Sequence, residues 1–334
     1  MIDVPALRGD DPLGFLAALG VLGLAEIGSI PPLKLGWTTS AAPTARFDGD
    51  VTSTDELADQ LSDAFAQLRE EGLPGPGLLP EFPIARTGGG TDPMRVRSAI
   101  VAEWYANADA TYRAGDPWLA RWLVAIAGQS AVADEKRDDV RLTPFYAPTG
   151  RMTLRGSLFD STAEAVERLG GPGDAVVGWR RTVYDGANFD GRATRDGAVT
   201  TTGKPANQGA PSATWLALMG LRFFTITDDG RQIRTMGWQP VRMYEGYTSR
   251  SLVWPCWQPA LDAPAVRSLL SHPVLQLEAG DDGPRVTRHA RRLLPPLGVV
   301  AVFGASRRSL SQGDGPLGRA RRLWARGAVG AAEG

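Results

Sequence analysis

The strongest chemical signal in the sequence is a glycine-rich segment bounded by arginines, at residues 86–97. Its three glycines precede an Asp-Pro pair at 92–93, and this pair favours the start of a helix. Backbone N–H groups of such a loop can approach an anion, and the helix dipole favours negative charge there. The segment predicts an anion site, with a flexible surface loop as the alternative. The residues assigned to it are Arg86, Gly88, Gly89, Gly90, Arg95 and Arg97.

Other cationic side chains lie on predicted loops close to aromatic residues, as where Trp179 precedes two arginines. Arginine interleaved with aromatic rings suits a phosphate backbone with occasional base stacking. The alternative for each one is ordinary surface charge. These candidates are Arg151, Arg155, Arg180, Arg181 and Lys204.

Charge is distributed unevenly along a chain whose net charge is only −1. Residues 1–80 contain twelve acids and four bases, whereas residues 285–326 contain ten arginines and one acid. A basic end of this kind favours contact with a polyanion such as nucleic acid. A solvated tail, or pairing with the acidic N-terminal part, remains the alternative. The arginines assigned to this second basic surface are Arg288, Arg291, Arg292, Arg307 and Arg308.

Residues for self-contained catalysis are scarce. His272 and His289 are the two histidines and Cys256 is the one cysteine, so a cysteine-based zinc site is excluded. The sequence has no HExxH, GxSxG or Walker A motif. We therefore predict a protein that binds rather than transforms, without metal or cofactor. A Mg²⁺-dependent nuclease built from scattered carboxylates is the enzymatic alternative.

The composition is that of a folded protein with a sizeable core, because 43% of the 334 residues are hydrophobic. No stretch approaches the ~20 apolar residues that span a bilayer, and residues 1–5 do not resemble a signal peptide. With a single cysteine, the expected compartment is the cytoplasm and no membrane partner is expected.

Hydrophobic periodicity predicts a mixed α+β fold with a helix-rich N-terminal half and mixed short strands and helices in the C-terminal half. The first helix is apolar on most sides and is expected to be buried. The predicted N-terminal elements are a helix at 12–27, strands at 33–37 and 44–47, a helix from Ser53 to Gly72 that starts with a capping box, and helices near 93–114 and 117–128.

The second half has shorter elements, and Asp229-Gly230 predicts a hairpin. The predicted elements are a charged connection at 134–141, a strand at 142–146, a helix at 161–169, an exposed loop at 184–211, a helix at 213–221, hairpin strands at 221–227 and 232–238, helices at 263–270 and 284–294, and a strand at 297–303. We expect a helix-rich domain at 1–135, a mixed domain at 136–310 and a flexible basic tail at 311–334.

Three segments are notable when they are read together: residues 8–22, residues 142–146 followed by Thr149-Gly150-Arg151, and residues 254–259 followed by 266–270. In this order they resemble the opening, an internal motif and a later motif of CRISPR-associated proteins of type I-G systems, formerly I-U. The chain is shorter than the large subunits of those systems, so the resemblance leaves open a compact large subunit, an accessory protein or an adaptor.

The resemblance implies a subunit of an RNA-guided effector complex, in which base pairing reads the target sequence. Its implied partners are the other effector subunits together with guide RNA, target DNA (a short recognition duplex or the displaced strand) or both, and, in the adaptor role, the helicase-nuclease. We predict a non-catalytic, nucleic-acid-binding subunit that makes arginine–phosphate contacts. A protein-only adaptor, docking through the 12–27 helix or the 184–211 loop, is the third possibility.

Overall fold

The protein has a mixed α+β fold, as the sequence predicted. The computed structural model describes residues 1–82, 95–134, 138–148, 152–196, 206–278, 280, 283–310 and 313–327. The α-helices in these ranges are α1 (Pro12–Glu26), α2 (Thr54–Glu70), α3 (Ser98–Arg113), α4 (Trp118–Ile126), α5 (Ser161–Glu167), α6 (Asp174–Val177), α7 (Pro211–Met219), α8 (Ala263–Leu270) and α9 (Arg288–Leu293). Leu154–Asp160 forms a π-helical turn, and Gly186–Asn188, Gly220–Phe223 and Pro273–Leu275 form 3₁₀ turns.

The strands form several small antiparallel sheets. They are β1 (Ile2–Arg8), β2 (Leu33–Trp37), β3 (Thr44–Gly49), β4 (Ala127–Asp134), β5 (Asp139–Leu142), β6 (Thr182–Val183), β7 (Thr194–Asp196), β8 (Ala206–Gly209), β9 (Ile226–Asp228), β10 (Ile233–Thr235), β11 (Trp238–Gln239), β12 (Tyr247–Trp257), β13 (Leu277–Glu278), β14 (Arg285–Val286), β15 (Val299–Leu310), β16 (Gly313–Leu317) and β17 (Arg321–Ala325). The two largest sheets have the orders β1-β3-β2 and β11-β12-β15-β16, with β17 also paired to β15.

Helix α1 lies at the centre of the molecule, as its apolar sequence predicted. Every residue from Pro12 to Ala25 is buried. It packs so closely on α7 that a Cβ atom at Gly20 would lie 1.8 Å from the carbonyl oxygen of Leu216. Glycine at this position lets the two helix backbones approach each other.

An aromatic cluster joins α1 to the two largest sheets. The ring of Phe15 stacks on Trp37 of β2 and on Trp254 of β12, with centroid separations of 5.7 and 5.5 Å. Trp257 meets Phe15 edge to face and donates from Nε1 to the carbonyl oxygen of Leu35, at 2.7 Å. The cluster fixes the position of β12, whose other end reaches the cleft described below.

The C-terminal segment departs from its prediction. Residues 313–317 and 321–325 form β16 and β17, which pair with β15, where the sequence suggested a flexible tail. Residues 299–307 of β15 are all buried, and β17 pairs with this strand on the side opposite β12. One hydrophobic cluster includes residues from Ile2 to Leu317. The predicted domain boundary at residue 135 stays a prediction.

Three other local predictions need correction. Strand β1 was missed, because Pro5 in its middle is atypical of a paired strand. Residues 143–146 form a turn, and β5 covers 139–142, part of the predicted charged connection. Within 184–211, the described part contains β8 and buried Phe189, so it is not an exposed loop. No helix in the described ranges has both the length and the hydrophobicity needed to cross a bilayer.

Candidate nucleic-acid interface

A cleft of about 2290 Å³ opens beside the five-stranded sheet and carries a large excess of positive charge. Among the described residues, seven arginines and two carboxylates line it. They are Arg95, Arg141, Arg231, Arg234, Arg242, Arg250, Arg307, Asp139 and Asp314. A concave surface with one dominant sign of charge concentrates oppositely charged ligands.

The arginines reach the cleft from separate elements. Arg141 lies on β5, Arg234 on β10, Arg242 in the loop between β11 and β12, and Arg250 on β12. Arg231 lies in the turn of the β9–β10 hairpin. The fold thus brings together on one surface, from three separate sheets, arginines that are up to 109 positions apart, from 141 to 250.

The hairpin turn is fixed by local chemistry. Gly230 adopts a φ of +85°, which glycine tolerates without strain. The Asp229 carboxylate accepts hydrogen bonds from the backbone N–H groups of Arg231 and Gln232, at 3.0 and 2.8 Å. Along β10, Ile233 points inward and Arg234 outward. The turn therefore places two guanidinium groups on the cleft wall.

Five of the cleft arginines have no ion pair with a carboxylate in the described part of the chain: Arg141, Arg231, Arg234, Arg242 and Arg250. Arg141 donates to the carbonyl oxygen of Arg231 at 2.8 Å. The pKa of Arg250 is lowered by partial burial and by the positive charge of Arg141. Because these like charges repel one another, a bound polyanion would relieve the repulsion.

Arg307 was predicted as a surface contact, and the structure corrects this. It is 2% exposed and forms part of the cleft floor. Its guanidinium donates to the carbonyl oxygens of Pro144, Phe145, Asn188 and Gly315, at 2.8, 2.5, 3.1 and 2.7 Å. Burial lowers its pKa to about 10. Arg307 therefore holds the floor together rather than offering a free cation.

Of the glycine-rich candidate segment, the structure describes the last part. Arg95 lines the cleft with 62% of its side chain exposed, and its Nη1 lies 3.9 Å from the Asp139 carboxylate. Arg97 is exposed and forms a backbone bridge with Asp139, but it is not in the cleft lining. Arg86, Gly88, Gly89, Gly90, Arg151 and Lys204 lie outside the described residues.

Two further candidates take part in internal contacts. Arg155 pairs with Asp160 at 3.2 Å and donates to the carbonyl oxygen of Phe82. Arg181 pairs with buried Asp190 at 2.9 Å. Both are more than two thirds buried and have acceptors within the fold, so neither is a free phosphate contact.

The remaining candidates lie outside the cleft lining. Arg180 is exposed on the segment before β6, and the α9 arginines 288, 291 and 292 are exposed together. Arg308 is exposed on β15 and donates to the carbonyl oxygen of Gly191 at 3.0 Å. The structure therefore separates the predicted second basic surface on α9 from the cleft.

The histidines do not form a metal centre with other described residues. No group of three or more His, Cys, Asp or Glu side chains that could hold a metal ion occurs in the described ranges. His272 lines the cleft, where its Nδ1 accepts a hydrogen bond from the backbone of Val274 at 3.1 Å. His289 is exposed on α9. This gives the carboxylate-nuclease alternative no support.

No protein-family model and no curated protein matches the chain. The likeness to type I-G CRISPR proteins therefore rests on the three sequence segments alone.

Sequence reasoning missed five arginines of the cleft: Arg141, Arg231, Arg234, Arg242 and Arg250. None of them lies in a glycine-rich loop or in the arginine-dense C-terminal stretch, so each resembles ordinary surface charge. Only the Asp229-Gly230 hairpin signal pointed to this region, because it fixes where Arg231 and Arg234 project.

Proposed function

We propose that this protein is a non-catalytic, nucleic-acid-binding subunit of a CRISPR effector complex, and that its cleft holds the sugar-phosphate backbone. The observation that carries the proposal is the convergence on one concave surface of five arginines without carboxylate partners among the described residues. Phosphates along a strand would neutralise this charge and release counterions, which supplies most of the affinity for nucleic acid.

Apolar side chains between the arginines support this ligand class. Met236, Pro240, Tyr247 and Leu275 line the same cleft. Tyr247 is half-buried, with its ring packed over Gly318. Apolar and aromatic surface next to cations suits nucleotides, which present flat bases beside charged phosphates.

Two of the three segments that resemble CRISPR proteins contribute residues to the cleft lining, among them Pro144 and Leu270. The carbonyls of Pro144 and Phe145, from the internal motif, bind the Arg307 guanidinium in the cleft floor. The opening and late motifs meet each other where Trp254 donates to the carbonyl oxygen of Gly9. In the proposed complex the partners are the other effector subunits, guide RNA, target DNA and the helicase-nuclease.

The test is a binding titration of the full chain, alone and with the co-encoded subunits, against labelled single-stranded DNA, duplex DNA and RNA. The double variant Arg234→Glu/Arg242→Glu should weaken binding at least tenfold, which corresponds to about 1.4 kcal/mol. Neither side chain forms a hydrogen bond or ion pair with another described residue, so the fold should survive.

The matched control is Arg288→Glu/Arg292→Glu, which makes the same charge change on α9. It should change affinity much less than the cleft variant. An equal reduction from both variants would mean that net charge, not the cleft, determines binding. Absence of binding by the wild type at low salt, even in the assembled complex, would end the proposal.

A further inference from the structure

A cluster of charged side chains, separate from the cleft, surrounds the C-terminal end of α1. Glu26 accepts hydrogen bonds from Arg121 of α4 at 2.7 Å and from Arg267 of α8 at 2.6 Å. Arg267 binds the second carboxylate oxygen as well. The carboxylate of Glu26 is therefore fully engaged by two guanidinium groups, and these lower its pKa against the opposing effect of burial.

A third guanidinium lies in the same cluster without a carboxylate of its own. Arg222, in the 3₁₀ turn after α7, is 2% exposed. Its Nε donates to the carbonyl oxygen of Met219 at 3.3 Å. Its Nη1 and Nη2 have no hydrogen-bond partner among the described residues. Buried polar groups are nearly always hydrogen-bonded, so these two nitrogens need an explanation.

The surroundings of Arg222 offset only part of this cost. Its guanidinium lies over the rings of Trp118 and Trp122, with centroid distances of 5.7 and 5.3 Å. Gly23 of α1 leaves room for it, since a Cβ atom there would lie 3.0 Å from Nη2. Burial lowers the pKa of Arg222 to about 9. Glu26 opposes this shift, whereas Arg121 and Arg267 add to it.

The charges in the cluster do not balance. Three guanidinium groups face one carboxylate, which leaves an excess of two positive charges. An isolated buried charge is strongly unfavourable unless it is paired and hydrogen-bonded. Arginine presents a planar fork of donors that matches the oxygens of phosphate or sulfate.

We propose that this cluster binds a small oxyanion of phosphate type. In this arrangement Arg222 donates from Nη1 and Nη2 at the inner side. Both nitrogens are closed to solvent in the structure, so a neighbouring side chain must move for the anion to enter. Arg121 and Arg267, whose side chains are 37% and 20% exposed, stand at the solvent side. None of the four residues lines the cleft, so this site does not depend on the proposed nucleic-acid interface.

The bound anion would join four elements that meet here: α1, α4, α8 and the turn after α7. A ligand that binds the folded state alone stabilises it in proportion to the logarithm of its concentration. The oxyanion site therefore predicts a specific effect of phosphate on thermal stability, beyond the general effect of ionic strength.

The first test compares melting temperatures of the full chain in sodium phosphate and sodium chloride at matched ionic strength and pH. Phosphate should raise the melting temperature of the wild type by several degrees, and Arg222→Met should lose this increment. The cleft variant Arg234→Glu/Arg242→Glu should keep it, which separates this site from the cleft. The same increment in wild type and Arg222→Met would overturn the proposal.

A second measurement needs no substitution. Crystals of the wild type grown with selenate, an analogue of sulfate, should show anomalous density within hydrogen-bond distance of Arg222 Nη1 or Nη2. Selenate density only elsewhere would overturn the proposal. The melting experiment is then repeated with adenosine monophosphate in place of phosphate. An equal increase in melting temperature indicates that the site accepts the terminal phosphate group of a larger ligand. Loss of the increase indicates that the site accepts only the free ion.

Discussion

The indole Nε1 of Trp254 donates a 2.7 Å hydrogen bond to the carbonyl oxygen of Gly9, joining two residues that are 245 positions apart. A side chain at Gly9 would not fit, because its Cβ atom would lie 2.6 Å from the Cys256 sulfur and 2.8 Å from the Trp37 ring. The entry to α1 is thereby fixed against β12. This hydrogen bond links the first and last of the three CRISPR-like segments.

A pair of tryptophan substitutions tests that hydrogen bond. Trp254→Phe removes the indole donor and leaves the buried Gly9 carbonyl with only the weak 3.8 Å hydrogen bond from the Cys256 thiol. This loss adds about 1–3 kcal/mol to the cost of reduced packing. Trp37 is an equally buried neighbour whose Nε1 has no partner among the described residues. Trp37→Phe should therefore destabilise less. Urea unfolding of both variants measures the difference, and equal destabilisation would contradict the assigned role.

Arg307→Lys tests whether the cleft floor depends on a guanidinium. Lysine keeps the charge but has too few donors in the right directions for four carbonyl oxygens. Leaving buried acceptors unpaired costs about 1–3 kcal/mol each. We expect a melting temperature many degrees lower, with weaker nucleic-acid binding as a consequence. Unchanged stability with reduced affinity would instead mean that Arg307 touches the nucleic acid directly.

Gly20→Ala tests the close approach of α1 and α7. The added methyl group would collide with the Leu216 carbonyl oxygen, a backbone atom that cannot turn aside. Overpacking of this kind typically costs about 1–3 kcal/mol. Gly178→Ala is the control, since nothing lies within 4 Å of its Cβ position. Denaturant midpoints that are the same for both variants would show that the helices separate freely.

The salt dependence of binding tests how the cleft arginines act. For each phosphate that the protein no longer neutralises, the slope of log Kobs against log salt concentration should become less negative by about 1. Arg234→Ala should show this change, whereas Arg180→Ala, outside the cleft lining, should not. Titrations at several salt concentrations give the slopes. Equal slopes for Arg234→Ala and wild type would show that Arg234 does not contact a phosphate.

The pH dependence of stability should report on Asp11. Burial raises the pKa of its carboxyl to about 6, with Arg192 opposing and Asp190 adding to the shift. The folded protein then binds this proton more tightly than the unfolded chain, whose carboxyl keeps its ordinary value near 3.8. Stability from this group is present at low pH and is lost as pH rises from about 4 to about 6.

The variant Asp11→Asn removes that titration. The unfolding free energy of the wild type relative to Asp11→Asn should fall by about 3 kcal/mol across this pH range. Chemical denaturation at several pH values measures it. A difference that stays constant from pH 4 to pH 7 would show that Asp11 titrates normally.

Local signals predicted the elements that depend on local interactions. Helix α2 begins after Ser53, whose hydroxyl accepts from the Glu56 backbone as the capping box requires, although the Glu56 carboxylate reaches Thr52 instead. The Asp229-Gly230 turn and helix α8 likewise form where predicted. Each of these depends on caps, turns and periodicity within a few residues.

The site depends on the packing of distant segments from separate sheets, and sequence patterns do not specify such packing. Arg141 and Arg250 share a surface only because β5 and β12 are brought together by the fold. Arg307 looks like its neighbour Arg308 in the sequence, yet strand alternation buries one and exposes the other. Charge asymmetry along the chain thus predicted basic surface without indicating which arginines are available.

The central position of α1 has a consequence for synthesis of the protein. This helix, apolar from Pro12 to Ala25, leaves the ribosome early, whereas α7, which covers it, begins at Pro211, 185 residues after Glu26. At ~5–20 residues per second, the nascent chain would wait about 10–40 s for that cover. Chaperones that shield this apolar surface during the interval should therefore increase the yield of folded protein.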